Sequence, residues 1–319
     1  MWGIRPNKRQ GDNVGKYIAK RLAIGVATLF ALATITFFLM HIIPGSPFAG
    51  ETSKLPAAVK EKLIEKYGLD KPLGAQFAAY LKNAVTGDFG TSLNRKGKAV
   101  VDIIRAGLPA TASLGMVAFV IAITVGVTLG TVAAFSKQRW VSGAVAFIAT
   151  IGVSVPSFLL ALLMMLLFGV VLHWLPIVGL GSWQHYIMPG IALALAPIAM
   201  ISRLVRTNLM EVMRQDYMVL ARSKGTSELM VILRHALKNA MVPVITYAGP
   251  LIATLLTGSF VIETLFSVPG IGAEFVNSVS NRDYTLIMAL TVFYGAFIIV
   301  ANIVTDLITA AMDPRIRLK

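Results

Sequence analysis

Several stretches of this chain, Leu22–Ile43, Ala110–Phe135 and Val141–Leu172 among them, run longer without an Asp, Glu, Lys or Arg than a soluble helix tolerates. About 20 apolar residues cross a bilayer, and inside it each backbone N–H and C=O must find its partner within the chain, which an α-helix provides from its own residues. The first run is also too long for the apolar region of a signal peptide and lacks a small-x-small cleavage site, so it reads as a retained span. Overall, 56% of residues are hydrophobic and the mean hydropathy is +0.74, above the roughly 45–50% apolar content of soluble domains.

The remaining spans follow in order. Ala110–Phe135 carries Gly126 and Gly130, a small-xxx-small spacing that allows close helix contact. Val141–Leu172 is longer than one upright span, and Pro156 is expected to kink it or send part of it out of the lipid. Tyr186–Ser202 is short and interrupted by Pro189 and Pro197; Met241–Val261 and Tyr284–Thr305 complete six. The predicted fold is therefore all-α and integral to the membrane. Its parts are a basic tail at 1–20, a first span at 21–43, an insert at 44–109, and a core at 110–319 holding five spans. Within the core, 203–240 forms a polar loop. The tail, free of apolar periodicity, is expected to be disordered or to lie on the membrane surface.

The insert Pro44–Pro109 is polar, with six acidic and ten basic residues. Pro56–Tyr67 and Gln76–Val85 have helical patterns, GDFG at Gly87–Gly90 is a turn, and Val100–Ile104 reads as a third short helix. A small folded insert is expected.

The net charge of +14 raises nucleic acid as a partner, but its location answers that. Eighteen Lys and Arg lie in the tail and at Arg21, at Lys137 and Arg139, between Arg203 and Lys238, and at the C-terminus, whereas the short segments 173–185 and 266–283 hold only Arg282. Positive charge marks the cytoplasmic side in short loops. Both termini and the 203–240 loop are thus placed in the cytoplasm, and the basicity is a topology signal that leaves no call for nucleic acid. With no cysteine in the chain, disulfides, thiolate metal sites and cysteine nucleophiles are absent.

The segment Asp216–Pro243 lies between spans yet carries Arg222, Lys224, Arg234 and Lys238. It reads as two short helices with a hinge. Met218–Lys224 is rich in helix formers, Gly225 is the expected left-handed stop, and Thr226 or Ser227 can cap a second helix. In that helix Leu229, Ile232, Leu233, Ala236, Leu237 and Ala240 form the apolar stripe, opposite Arg234, His235, Lys238 and Asn239. Such a pair, held at the membrane surface by flanking spans, is shaped to be pushed from outside the membrane. A surface-lying amphipathic loop is the plain alternative, and a DNA-reading helix-turn-helix lacks a free recognition face.

No energy source of its own is evident. GDNVGKY at Gly11–Tyr17 has one residue too few for a phosphate-binding loop, and Tyr17 stands where Ser or Thr must hold magnesium. The four histidines are scattered and no metal-ligand spacing occurs. Glu263 and Asp306 stand near span ends, where water or backbone reaches them, which favours a structural or capping role over a functional one. The lack of a carboxylate nearer the midplane and of an inverted repeat counts against an ion-driven carrier, and no nucleophile–base or aspartate pair supports an intramembrane hydrolase.

At LARSKG (Leu220–Gly225) the chain resembles the membrane subunits of ATP-binding-cassette importers, in their peptide-permease branch. Their cytoplasmic loop ends in Ala-x-x-x-Gly, matched by Ala221 and Gly225. Val219 and Leu220 stand where Glu-Ala is commonest, and Leu237-Lys238 where many members have Leu-Pro; RHALKNAMVPVI at Arg234–Ile245 is similar to the peptide branch's form. YGLDKPLGAQFAAYLKNAVTGDFGTS (Tyr67–Ser92), GSFVIETLFSVPGIG (Gly258–Gly272), NRDY (Asn281–Tyr284) and MDPRIR (Met312–Arg317) extend the resemblance over nearly the whole chain beyond residue 16. HIIPGSPFAGE (His41–Glu51) resembles the oligopeptide permeases more than the dipeptide or nickel ones.

The resemblance implies a type I importer permease with six spans and an extracytoplasmic insert in the inner membrane. Implied partners are a homologous second permease subunit, two ATPase subunits that bind ATP and magnesium in place of this chain, and an extracytoplasmic peptide-binding protein. Catalysis is expected of the ATPases and not of this chain. Asp216, Tyr217, Leu220, Ala221, Arg222, Lys224, Gly225 and Thr226 are the expected ATPase-coupling residues, with Arg222 and Lys224 either paired to ATPase acids or merely solvated. Glu263, Pro269, Gly270 and Gly272 are the expected gate at the pore mouth, the last three in a tight external turn. The insert is expected either to dock the binding protein or to serve as a spacer.

Overall fold

The structure, a computed structural model, describes residues 8–42, 61, 64–65, 68, 70–95, 97–136, 138–225, 227 and 230–312. Twelve α-helices are named here: α1 Lys8–Ile42, α2 Leu73–Thr86, α3 Val100–Phe135, α4 Arg139–Ser154, α5 Ser157–Met164, α6 Ile187–Val212, α7 Asp216–Ser223, α8 Leu237–Ala240, α9 Val242–Leu256, α10 Phe260–Leu265, α11 Ile271–Ser280 and α12 Tyr284–Met312. Wider π-helical turns at Met165–Val171 and Val231–Ala236 follow α5 and precede α8. Among the described residues the β-type pairing is an isolated antiparallel bridge, Thr91 to Ala99. Among the described residues four helices are long and apolar enough to cross a membrane, and two bent pairs make six if each is one span.

The chain divides into two compact units. One gathers residues up to Pro109 together with Pro269–Ile303. Its interior has two main parts. Ala33 and Phe37 of α1 pack with Tyr80 of α2, and burial pushes the Tyr80 phenol up to about 12. Val100, Ile103 and Ile104 pack with Ile271 of α11 and Leu286, Leu290 and Tyr294 of α12. The other unit comprises Ala110–Val268 and Val304–Ile316. Its core joins Ala118 and Ala122 of α3 to Ala194, Ile198, Ile201, Val205 and Leu209 of α6, and continues into Met218, Ala221, Val231, Ala236, Ala240 and Val244. Outward faces such as Phe30, Phe147 and Leu166 are exposed and apolar, as lipid contact demands.

Several elements run differently from the pattern read in the sequence. Helix α1 starts at Lys8, inside the stretch expected to be an irregular tail. The helix expected at Pro56–Tyr67 falls mostly outside the described residues. Val100–Ile104 is no separate helix but the first turns of α3, which carries Pro109 without a break. The 141–172 run, by contrast, is broken at Val155–Pro156 as expected, its two halves bent by 107°; proline removes an N–H and pushes the residue before it to extended backbone, as Val155 shows with ψ 125°. Conversely, α6 passes through both prolines and continues beyond Ser202 to Val212. Pro189 lies in its first turn, where no N–H donor is needed.

The Gly126–Gly130 spacing does bring helices together. A Cβ at Gly126 would come within 2.8 Å of the Ile201 side chain, and one at Gly130 within 2.6 Å of the Ser202 carbonyl oxygen and 2.7 Å of Val205 Cβ. Helices in lipid gain no hydrophobic attraction for each other, so such backbone approach is how they adhere. Gly130→Val is expected to force α3 and α6 apart at a cost of about 1–3 kcal/mol, lowering the melting temperature of the detergent-solubilised protein by several degrees. An unchanged melting temperature would argue against this crossing.

Candidate coupling element and gate

Helix α7 is short and two-faced. Met218 and Ala221, three apart, turn into the core beneath α6, with Met218 fully buried. Tyr217, Val219 and Leu220 are instead exposed, at 43%, 57% and 57%, and Arg222 and Lys224 lie on the same open side. The helix thus buries one face in the core and leaves Tyr217, Val219, Leu220, Arg222 and Lys224 exposed. Asp216 sits in the first turn, where its charge complements the helix dipole.

Gly225 ends this helix as the sequence predicts. Its φ is +77° and its N–H donates to the Arg222 carbonyl at 2.9 Å. A Cβ there would meet nothing within 4 Å, so the backbone conformation, not crowding, calls for glycine. Thr226, Leu229 and the Leu233 side chain lie outside the described residues. The second half of the element departs from a regular helix. Because Val231–Ala236 is a π turn, the buried positions are Val231, Ala236 and Ala240, five and then four apart. The regular spacing expected from the sequence misses Val231. Asn239 Nδ2 donates to the Tyr217 hydroxyl at 3.0 Å and links the two halves.

Of the four expected gate residues, Glu263 belongs to one unit and Pro269, Gly270 and Gly272 to the other. Glu263 is fully buried, so of the water or backbone expected to reach it near a span end, water does not. The reason is local. Helix α9 stops at Leu256, the chain turns at Gly258 (φ +81°), and the Ser259 hydroxyl accepts the Ile262 N–H at 3.4 Å to start α10. The inner face of α10, Ile262 and Glu263, is thereby set into the core with Phe266. Glu263 Oε1 and Thr111 Cγ2 close on the space a Gly258 side chain would need. Beside this turn lies a cavity of about 610 Å³, walled by Leu193, Pro197 and Leu251 and edged by Tyr247, Thr254 and Ser259.

Gly270 and Gly272 form no tight turn. Gly270 is extended (φ −103°, ψ 169°) as the N-cap of α11, and Gly272 is a buried residue of that helix. The turn lies just before, at Ser267 (φ +48°), where the Val268 N–H reaches the Glu263 carbonyl at 2.8 Å. Asp283, inside the NRDY motif before α12, is a further residue with long-range partners. Asp283, only 2% exposed, accepts hydrogen bonds from Ser92, Leu93 and Asn94, some 190 positions away. An isolated Asp before a span gives no local sign of partners so distant.

Residues 126–318 match the family model described as binding-protein-dependent transport system inner membrane component, and residues 14–115 match its N-terminal counterpart. The dipeptide transport system permease protein DppB of Lactococcus lactis subsp. cremoris (strain MG1363) is 43% identical over 95% of this chain and 99% of its own length. The oligopeptide transport system permease protein OppB of Escherichia coli (strain K12) is 42% identical over 95% of this chain and 99% of its own. A crystal structure of an amino acid ABC transporter superposes with a TM-score of 0.50 at 17% identity, covering 68% of this chain and 95% of that one, a likeness of fold alone. The helical bundle, the outward-facing α7 and these matches over nearly the full chain place it in one family: the protein belongs to the binding-protein-dependent transport system inner membrane components.

Proposed function

We propose that this chain is a pore-forming permease subunit of an ATP-driven importer of peptides. The observation that carries the reading is α7, whose inner face is part of the membrane domain's core while its outer face presents Tyr217, Val219, Leu220 and two cations. A partner that grips the outer face displaces Met218 and Ala221, and with them α6 and α9. In this reading two ATPase subunits, which hold the ATP and magnesium, grip α7 from the cytoplasm. A homologous second permease completes the pore, and a peptide-binding protein delivers substrate from the opposite side, near the insert. Both termini lie in the cytoplasm, in keeping with the positive charge on that side.

Transport then proceeds by alternating access. Closure of the ATPase pair favours the outward-open state by no more than its difference in contact energy between the two states. The segments at Glu263 and Pro269–Gly272 serve as gate elements, and the cavity beside Gly258 belongs to the path. The relatives' names include both dipeptide and oligopeptide systems. The His41–Glu51 segment favours oligopeptides, so a pentapeptide is expected to compete with a labelled tripeptide for uptake at least as well as a dipeptide does. Competition by the dipeptide alone would move the assignment to the dipeptide branch.

Co-purification in mild detergent should bring a second permease and two ATPases. A chain that emerges alone and moves substrate without ATP would exclude the reading. Gly225→Val places a β-branched residue at φ +77°, with a strain of about 1–2 kcal/mol. This variant should stay in the membrane at parental abundance while peptide uptake falls several-fold; full uptake would rule out α7 as the lever. Leu220→Asp, on the exposed face, should weaken ATPase co-purification without lowering the melting temperature. If Arg222 and Lys224 pair with ATPase acids, reversing their charge should abolish uptake, and the reciprocal reversal on the ATPase should restore it.

A further inference from the structure

Helix α11, ten residues long, is tied down along its whole length. At its start, the Ile271 backbone nitrogen lies so close to Gly107 of α3 that a Cβ there would be 3.0 Å away. In its first turn Glu274 accepts from Arg95 Nη2 at 2.6 Å. After its last turn Asn94 Nδ2 donates to the Asn281 carbonyl at 2.7 Å. Asp283 closes the arrangement. Its Oδ1 accepts the Leu93 and Leu286 N–H groups, both at 3.2 Å, and lies 2.9 Å from the Thr285 hydroxyl. Its Oδ2 accepts the Ser92 hydroxyl and the Asn94 N–H. Ser92 is 3% exposed, so the donors it and its neighbours present have this carboxylate, not water, as their acceptor.

A surface loop that merely passes a helix does not order its successive N–H groups around one buried carboxylate. Loop Thr91–Arg95 belongs to the insert, whereas α11 begins at the Pro269–Gly272 segment. We infer that Asp283 is a positioning residue that makes the insert loop and α11 one body, so that the Pro269–Gly272 gate segment shifts only together with the insert. The insert is then the handle through which a partner on that side moves the gate. This rests on the importer reading and on Pro269–Gly272 acting as a gate element.

The absence of cysteine allows a clean test in the assembled importer. Ser92→Cys with Asp283→Cys provides the only two thiols in this chain, at a pair of side chains in contact. Reduced, the double variant should import peptide at least ten-fold more slowly than the parent; oxidation to the disulfide should restore most of the rate. Parental uptake by the reduced form, no disulfide on oxidation, or a disulfide form slower than the reduced one would each overturn the inference.

Asp283→Asn covers the case in which the double variant does not accumulate. Amide hydrogen exchange in this variant should quicken at Leu93, Asn94 and Leu286 and stay unchanged in α6, with uptake reduced in parallel. Unchanged exchange at the three amides, or parental uptake despite faster exchange, would overturn it. Cross-linking and exchange need no transport, so a parent complex that imports no peptide would count against the importer reading and leave the linkage to be judged by those two measurements.

Discussion

Close backbone contact around α6 is what the larger unit depends on. Lipid offers no hydrophobic gain for pressing helices together, so cohesion comes from dispersion and from how near the backbones come. Along α6 the chain removes side chains wherever a neighbour must approach. Gly126 and Gly130 of α3 receive Ile201, Ser202 and Val205; Gly152 of α4 lies against the Leu195 carbonyl; Gly190, in α6 itself, receives Val117. A glycine inside a helix costs about 1 kcal/mol in water, yet here each supplies contact area that a side chain would prevent. The same device recurs at Gly115, under the Leu255 carbonyl, and at Gly249, under Thr305.

In the proposed coupling, the rigidity of that packing is what gives the short α7 its leverage. Val205 and Leu209, near the end of α6, share one core with Met218, Ala221, Val231, Ala236 and Val244. A close-packed interior passes displacement on, because its side chains have no free volume in which to absorb it. The chain leaves the π turn and α8 directly into α9, bent by 44°, so the two halves of the 216–240 element are joined to two different membrane helices. In that proposal a push on Leu220 reaches α6 through packing and α9 through the covalent chain.

Hydrophobic runs, loop charge and stop signals made the all-helical membrane fold and the α7–Gly225 element legible, because each follows from nearest neighbours in sequence. Gly225 needed only its place after LARSK to be read as left-handed. Features fixed by tertiary context escaped. Val231 is buried because a π turn changes the spacing, and no residue type signals a π turn. The break expected at Pro156 is present, whereas α6 passes through Pro197 without one, so the same residue type has opposite outcomes, decided by neighbouring helices. Glu263 looked accessible from its distance to the end of an apolar run, but a helix break at Gly258 turned it inward. Asp283 stood within a recognised motif, but its partners lie almost two hundred residues away.

The escaped features share a physical origin. Wherever a membrane helix stops, the first N–H groups of the next helix lose their intrahelical acceptors. In water the solvent fills that need; beneath packed side chains a protein atom must. Ser259 does so for Ile262 at the start of α10. At the start of α12 the Asp283 carboxylate does so for Leu286, and having a second oxygen it also takes the Ser92 hydroxyl and the Asn94 N–H. A carboxylate at a helix start is favoured by the dipole as well. The acid that completes a helix cap thus gathers a distant loop at the same time, and the long-range order at the start of α12 follows from a local shortage of acceptors.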